Sequence, residues 1–337
     1  MNQLEKVILY SDRHRARDTF FSANGLNVTK IEPLPNDASF RKYFRLSIKG
    51  QKFLLMDAPP EKENIASYIR ISKHLALLGL KAPAVFQRDL ENGFLIVEDF
   101  GNSSLSALLN SGADPIPLYY DAIDALVHLH RHPLASSIDI PSYDMSNLLD
   151  EAVLLTDWHW PAVLGSQCSE DVRSAYIQAW VDVFKKLPIT RNTLVLRDYH
   201  VGNLMHLPKG NGLKRLGILD FQDALIGPAA YDLVSLIEDA RRDNFNLTEK
   251  LLGRYFDRIG NEEENSFKRW YNVLGAHRHA KCAGIFVRLW RRDGKKGYLK
   301  YVSHVVNMLN KHLRSDDLAP LATWFCQYYP EFKEAIF

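Results

Sequence analysis

The chain has 337 residues, about two domains' worth of material at roughly 150 residues each. Hydrophobic residues make up 46% and charged residues 24%, which excludes a disordered tail and a chain built of membrane spans. Lys plus Arg total 42 against 40 Asp plus Glu, a formal +2, so no global basic field is available to hold nucleic acid or an anionic membrane.

The apolar cluster before Ser11 and Asp12 is too short for a secretion signal, and no later run approaches the roughly 18 uncharged apolar residues of a membrane span. Cys168, Cys282 and Cys326 are far apart, with no C-x-x-C pair, and are expected to be reduced thiols in a cytoplasmic protein. The first 26 residues read as a weakly marked helix. Beyond them, Val28 to Leu34, Phe40 to Ile48 and Lys52 to Asp57 read as three strands, the first two separated by the turn residues Pro35-Asn36-Asp37. Pro59 and Pro60 stop the third strand. Ile65, Tyr68, Ile69, Leu75 and Leu78 then fall at helical spacing before Gly79, and Val85 to Arg88 and Phe94 to Glu98 flank the hairpin signal Glu91-Asn92-Gly93. The unit reads β-β-β-α-β-β.

After Gly101 helices dominate. The clearest runs from Ser169, a good N-cap, to Leu187, with Val172, Tyr176, Ala179, Trp180, Val183 and Phe184 on one face. A short strand patch follows, Thr193 to Leu196, Leu204 to His206 and Leu216 to Leu219, and from Ala229 the pattern is helical again. Arg241 and Arg242 are expected on a helix following Asp232, and Arg278, Lys281 and Arg288 on a longer one.

The strand patch gathers the chemistry. Asp198 and Asn203 are five apart in a loop bounded by apolar strand ends, and Asp220 ends the next apolar strand, so a carboxylate, a carboxamide and a second carboxylate can meet at one rim. Asn203 and Asp220 supply the oxygen ligands that Mg²⁺ takes alongside substrate phosphates, and Asp198 is left to position a proton.

An Asp followed five residues later by Asn, with an Asp-Phe dipeptide about twenty residues on, resembles the catalytic loop and metal motif of protein-kinase-like phosphotransferases. The chain is most similar to the aminoglycoside-phosphotransferase branch. Longer strings, among them Asp37 to Arg45, Met56 to Glu63, Arg197 to His200, Asp220 to Ala224, Ala240 to Asp243 and Gly284 to Leu289, resemble the anomeric N-acetylmuramate/N-acetylglucosamine kinases of bacterial cell-wall recycling.

The resemblance implies an α+β, bilobal protein-kinase-like fold: a β-rich nucleotide lobe over residues 1–98, a hinge linker over 99–104, and a mainly helical lobe over 105–337. It implies ATP as phosphoryl donor, Mg²⁺, and a small amino sugar as partner, with no nucleic acid or membrane and a monomer as the working expectation. Asp198 would orient the proton of the anomeric hydroxyl, and Asn203 and Asp220 would hold the metal. Ser39, Phe40, Arg41, Arg45 and the Glu98, Asp99, Phe100 segment would meet the nucleotide, and Asp232 would buttress the catalytic loop. Candidate sugar contacts are His200, Asp223, Trp158 and Arg241, the last suited to the lactyl carboxylate of muramate, with Arg278, Lys281 or Arg288 as alternatives.

Three features depart from the family pattern. Leu196 replaces the usual histidine before the catalytic loop, and Leu34 to Phe40 contains no glycine to cradle phosphate. The third strand ends in Met56 where a lysine is usual, so Arg41, Lys42, Arg45 or Lys52 must replace it, and Glu63 loses its expected ion-pair partner. These losses leave two other readings: a kinase of aminoglycosides, choline or another small alcohol, and a non-catalytic pseudokinase module.

Overall fold

The computed structural model of the chain describes residues 3–35, 40–260 and 264–334. Five strands, β1 (Val28–Pro33), β2 (Lys42–Ile48), β3 (Gln51–Asp57), β4 (Val85–Asp89) and β5 (Phe94–Glu98), form an antiparallel sheet in the order β1-β2-β3-β5-β4. The tight β4–β5 turn explains the glycine in its sequence signal: Gly93 has φ +74°, and a Cβ there would sit 1.9 Å from the Ala58 carbonyl oxygen.

Strand alternation divides the side chains between two faces. Leu46, Ile48, Leu55, Phe94 and Ile96 pack on Phe20 and Phe21 of the N-terminal helix α1 (Gln3–Ala23), so that helix covers one face of the sheet. Arg13 of α1 binds Asp57 and lies 4.3 Å over the Phe94 ring. Met56, Leu95 and Val97 belong to the larger core, together with Ile65, Tyr68 and Leu75 of α2 (Ile65–Leu77). The Asn64 side chain caps α2 by accepting from the Ala66 and Ser67 amides.

The remainder is mainly helical: α3 (Leu105–Asn110), α4 (Pro115–Arg131), α5 (Met145–Ala152), a π-turn at Leu155–His159 leading into α6 (Trp160–Leu164), α7 (Glu170–Lys185), α8 (Ala230–Ile237), α9 (Thr248–Ile259), α10 (Glu264–Asp293), α11 (Val302–His312) and α12 (Ala319–Tyr328). Ser169 Oγ caps α7 as its sequence requires. Two short ribbons interrupt the helices, β6 (Asn192–Val195) with β9 (Leu225–Pro228), and β7 (Leu204–His206) with β8 (Leu216–Ile218). The β9 strand carries no alternation of its own and is fixed by pairing with β6.

Arg241 and Arg242 lie in a turn rather than on a helix. The helix before them, α8, stops at Glu238 (φ −104°, ψ 49°), whose carboxylate accepts from His279 and His312 at 2.7 Å each, a long-range tie that local propensity does not register. No helix among the described residues is long and apolar enough to cross a membrane.

Candidate active site

The catalytic loop begins where β6 ends, and a buried carboxylate shapes it. Asp232, fully buried on α8, accepts the backbone N–H groups of Leu196 (2.6 Å) and Arg197 (2.8 Å), while Ser235 Oγ donates to the Arg197 carbonyl (3.2 Å). These bonds hold Arg197 at φ +68°, a conformation costly for a residue with a side chain. Burial pushes the Asp232 carboxyl up to about 7, against the two amide hydrogen bonds that oppose the shift. Tyr199 Oη donates to the Ala122 carbonyl of α4 (2.9 Å), tying the loop to a second helix.

Asp198 projects from this frame half-buried, and its carboxylate accepts no hydrogen bond from the described residues. Burial by itself would raise its pKa, yet Lys281, Arg278 and Arg197 around it hold the carboxyl below its ordinary value. A carboxylate kept ionised with its oxygens unspent is suited to accept or orient a proton.

Five residues on, Asn203 directs its amide nitrogen to the Asp198 carbonyl oxygen (3.0 Å) and to Asp220 Oδ2 (3.4 Å). Asp220 has φ +57°, and its Oδ1 accepts from Gln222 Nε2 at 3.1 Å. Burial raises the Asp220 carboxyl and the Asp198 charge raises it further, so this anion lacks full compensation. A carboxylate with surplus negative charge, next to a carboxamide that can offer an oxygen in place of its nitrogen, suits a hard divalent cation. Phe221 packs on Tyr68 of α2 with ring centroids 4.8 Å apart and planes tilted by 33°, and Ser67 Oγ donates to the Gln222 carbonyl (2.8 Å), which fixes the loop against the strand-rich part.

Of the four cations offered in place of the missing lysine, Arg41 reaches both Glu63 and Asp220. Met56 is fully buried, whereas Arg41, just before β2 and 8% exposed, places Nε 3.6 Å from Glu63 and Nη2 3.3 Å from Asp220. Glu63 therefore keeps an ion pair, contrary to the sequence expectation. The signal was present in the sequence only as two charged residues on either side of β3, and nothing local paired them.

The other nucleotide candidates are placed differently. Arg45 is committed to Asp99, with Nε–Oδ2 at 2.5 Å and Nη2–Oδ1 at 3.0 Å, and to Asn102 at 2.9 Å. Glu98 spends its side chain on Lys81 (2.6 Å) and its N–H on the Ala84 carbonyl (2.9 Å). Phe100 packs on Gly217, where a Cβ would lie 2.6 Å from the ring. Phe40 is exposed, with Lys62 Nζ 5.7 Å from its ring centroid, and Ser39 lies outside the described residues.

Of the sugar candidates, His200 and Arg241 come together beside the loop, Arg241 Nη1 lying 2.9 Å from His200 Nε2. Burial pushes the His200 imidazole down to about 4, so it is neutral at physiological pH. Asp223 is exposed and accepts from Gln222 Nε2 (2.9 Å). Trp158 packs half-buried against the core in the π-turn, and its neighbours His159 and Trp160 are buried against Tyr329.

A further charge group, missed in the sequence, backs the loop. Glu151 of α5 binds Arg197, Lys281 Nζ (2.7 Å) and the Tyr143 hydroxyl (2.5 Å). Its members are 46 and 130 residues apart in the chain, and no spacing rule connects them.

Residues 30–269 match the phosphotransferase enzyme family. The chain belongs to that family. It is 35% identical, over 85% of its length, to the N-acetylmuramate/N-acetylglucosamine kinase of Neisseria meningitidis serogroup B and covers 86% of that protein. With the kinase of the same name from Caulobacter vibrioides it shares 30% identity over 96% of its length, covering 99% of the relative. Among solved structures, a choline/ethanolamine kinase family protein from Mesorhizobium loti superposes with a TM-score of 0.61 at 12% identity, covering 96% of this chain and 99% of the other. The GDP complex of aminoglycoside 2'-phosphotransferase-IIIa gives 0.58 at 17% identity, covering 90% and 98%. The family member described here thus has the bilobal protein-kinase-like fold, with an antiparallel sheet first and a mainly helical part second, and is a phosphotransferase.

Proposed function

We propose that this phosphotransferase is an ATP-dependent kinase acting on the anomeric hydroxyl of N-acetylmuramate, N-acetylglucosamine or both, in the cytoplasm, as a step in peptidoglycan recycling. The observation that carries the reading is the unspent Asp198 carboxylate beside the Asn203–Asp220 pair, in a chain 30% identical over nearly its whole length to a kinase named for these two sugars. The nucleotide lies between the strand lobe, residues 1–98, and the helical lobe, residues 105–337, with its adenine against the backbone of Glu98 to Phe100.

Asp198 orients the C1 hydroxyl and accepts its proton as the oxygen attacks the γ-phosphorus and ADP departs. A hemiacetal hydroxyl is more acidic than an ordinary alcohol, so a positioned carboxylate is a sufficient base. Asn203 and Asp220 hold Mg²⁺, which neutralises phosphate charge when bound. Arg41 adds a fixed cation from the strand side and keeps Asp220 in place. A cationic acceptor such as an aminoglycoside or choline is disfavoured, because Arg278 and Lys281 are the first charges that Asp198 meets on the helical side.

The test is turnover of Mg²⁺-ATP with a panel of both sugars, kanamycin and choline, following ADP and locating the new phosphate by ³¹P NMR. The expected product is a sugar 1-phosphate without a reducing end, and Asp198→Asn lowers kcat by about 10²- to 10⁴-fold. Phosphate found at C6 overturns the anomeric assignment, and ATP binding without turnover on any acceptor overturns the kinase reading.

A further inference from the structure

Arg278 of α10 is 5% exposed, yet its guanidinium donates no hydrogen bond to any described residue and has no carboxylate within the 4.0 Å of an ion pair. Its Nε is shut off from solvent without an acceptor. Burial opposes its charge, while Cys282, Tyr231, Asp198 and Asp239 nearby favour it. A buried cation with all its donors unmade is an expensive arrangement unless a ligand supplies the acceptors.

The neighbouring cations do not share this condition. Lys281, one turn along α10, donates to Glu151 Oε1 (2.7 Å) and reaches Tyr231 Oη (3.3 Å), and Arg197 donates to the same Glu151 oxygen. Glu151 is therefore fully used. Arg241 is set against His200 in the turn over residues 239–243, which lines a cavity of about 350 Å³ with Ser106, Asn110 and Gly202. Arg278 is thus the one charge in this group held in place next to Asp198 with its acceptors still to be supplied, among the described residues.

We infer that Arg278 is the anchor for a carboxylate carried by the acceptor substrate. The inference rests on the sugar-kinase reading above. For that substrate class the carboxylate is the lactyl group at C3 of N-acetylmuramate, two ring carbons from the C1 hydroxyl that Asp198 addresses. The planar guanidinium can hold such a group through two parallel hydrogen bonds, which an ammonium cannot. N-acetylglucosamine has no carboxylate and leaves Arg278 to water, so the residue sets the preference between the two sugars.

The experiment measures kcat and KM for N-acetylmuramate, its lactyl amide and N-acetylglucosamine with the wild-type protein, Arg278→Lys and Arg278→Gln. Arg278→Gln is expected to lower the muramate-to-glucosamine ratio of kcat/KM by about 10- to 100-fold, chiefly through KM, with Arg278→Lys in between. The wild type is expected to lose a similar factor on the uncharged amide, and Arg278→Gln to distinguish acid from amide by less than about threefold. A ratio that stays within about threefold of wild type, or equal losses on both sugars, overturns the anchor. Should Arg278→Gln fail to fold by circular dichroism, the wild type decides alone, since equal kcat/KM for acid and amide overturns it. If the wild type phosphorylates neither sugar, the sugar-kinase reading falls and takes this inference with it; if it phosphorylates both, only the anchor is on trial.

Discussion

Two charge clusters flank the catalytic loop, and they are built in opposite senses. On the strand side one cation, Arg41, stands between two carboxylates, Glu63 and Asp220. On the helical side two cations, Arg197 and Lys281, share one carboxylate, Glu151, and a third, Arg278, has no ion-pair partner among the described residues. Among the described residues the first cluster has more carboxylates than cations and the second more cations than carboxylates, so the proposed metal would complete the one and the proposed substrate carboxylate the other. Asp198 stands between them, kept ionised by the helical cluster, while its charge helps raise Asp220 in the strand cluster.

The largest expected effect comes from removing the one anion of the helical cluster. Despite burial, which opposes the shift, Lys281 and Arg197 hold the Glu151 carboxyl down to about 2 from its ordinary 4.5. A carboxyl depressed in the folded state contributes stability that is fully present above its unfolded pKa and is lost as pH falls through the folded value. That window here runs from 4.5 down to about 2, and the shift corresponds to an order of about 3 kcal/mol. Glu151→Gln is therefore expected to destabilise the protein at pH 7 by about 3–5 kcal/mol, since it leaves Arg197 and Lys281 buried without an anion. Calorimetric melting from pH 7 to 2 should also show a flatter acid limb than wild type. Melting indistinguishable from wild type at pH 7 would dissolve the helical cluster as a unit.

What could be read from the sequence divides along the same line. The meander, α2 and the Gly93 hairpin were legible because their signals are local: alternation, 3.6-residue spacing and a glycine that a turn demands. Asp198, Asn203 and Asp220 were legible as neighbours because they lie on one short patch whose spacing the geometry respects, and Asp232 through the family resemblance. The clusters were not, since Arg41 and Asp220 are 179 residues apart and Glu151 and Lys281 are 130 apart. Nor could periodicity choose the working residue on α10. That helix is buried around much of its circumference, from Tyr271 to Leu289, so no apolar stripe separates an inward Arg278 from its neighbours.

The second prediction tests the strand cluster. Replacing Arg41 by alanine removes the cation proposed to stand in for the absent strand lysine, and kcat/KM for ATP is expected to fall by about 10- to 100-fold. Arg41→Lys should recover part of it, because a point charge can still meet Asp220 and phosphate but cannot span to Glu63 as well. Equal activity of Arg41→Ala and wild type would mean that Arg41 serves the fold alone, and the contrast between the clusters would lose its strand half.

The smallest effect is expected at Arg45, and it separates a cation that faces ligand from one that ties the chain together. Arg45 lies on β2, four residues beyond Arg41, but its fork grips Asp99 and Asn102 at the end of the sheet. Asp99 is itself turned inward, accepting the Gly101 N–H at 2.9 Å, so the pair fixes the path by which β5 leaves for α3. Arg45→Ala is accordingly expected to lower stability by about 1–2 kcal/mol while KM for ATP moves less than about threefold. A rise in KM on the scale of Arg41→Ala would place Arg45 on the nucleotide, and the strand cluster would then extend along β2 instead of ending at Arg41.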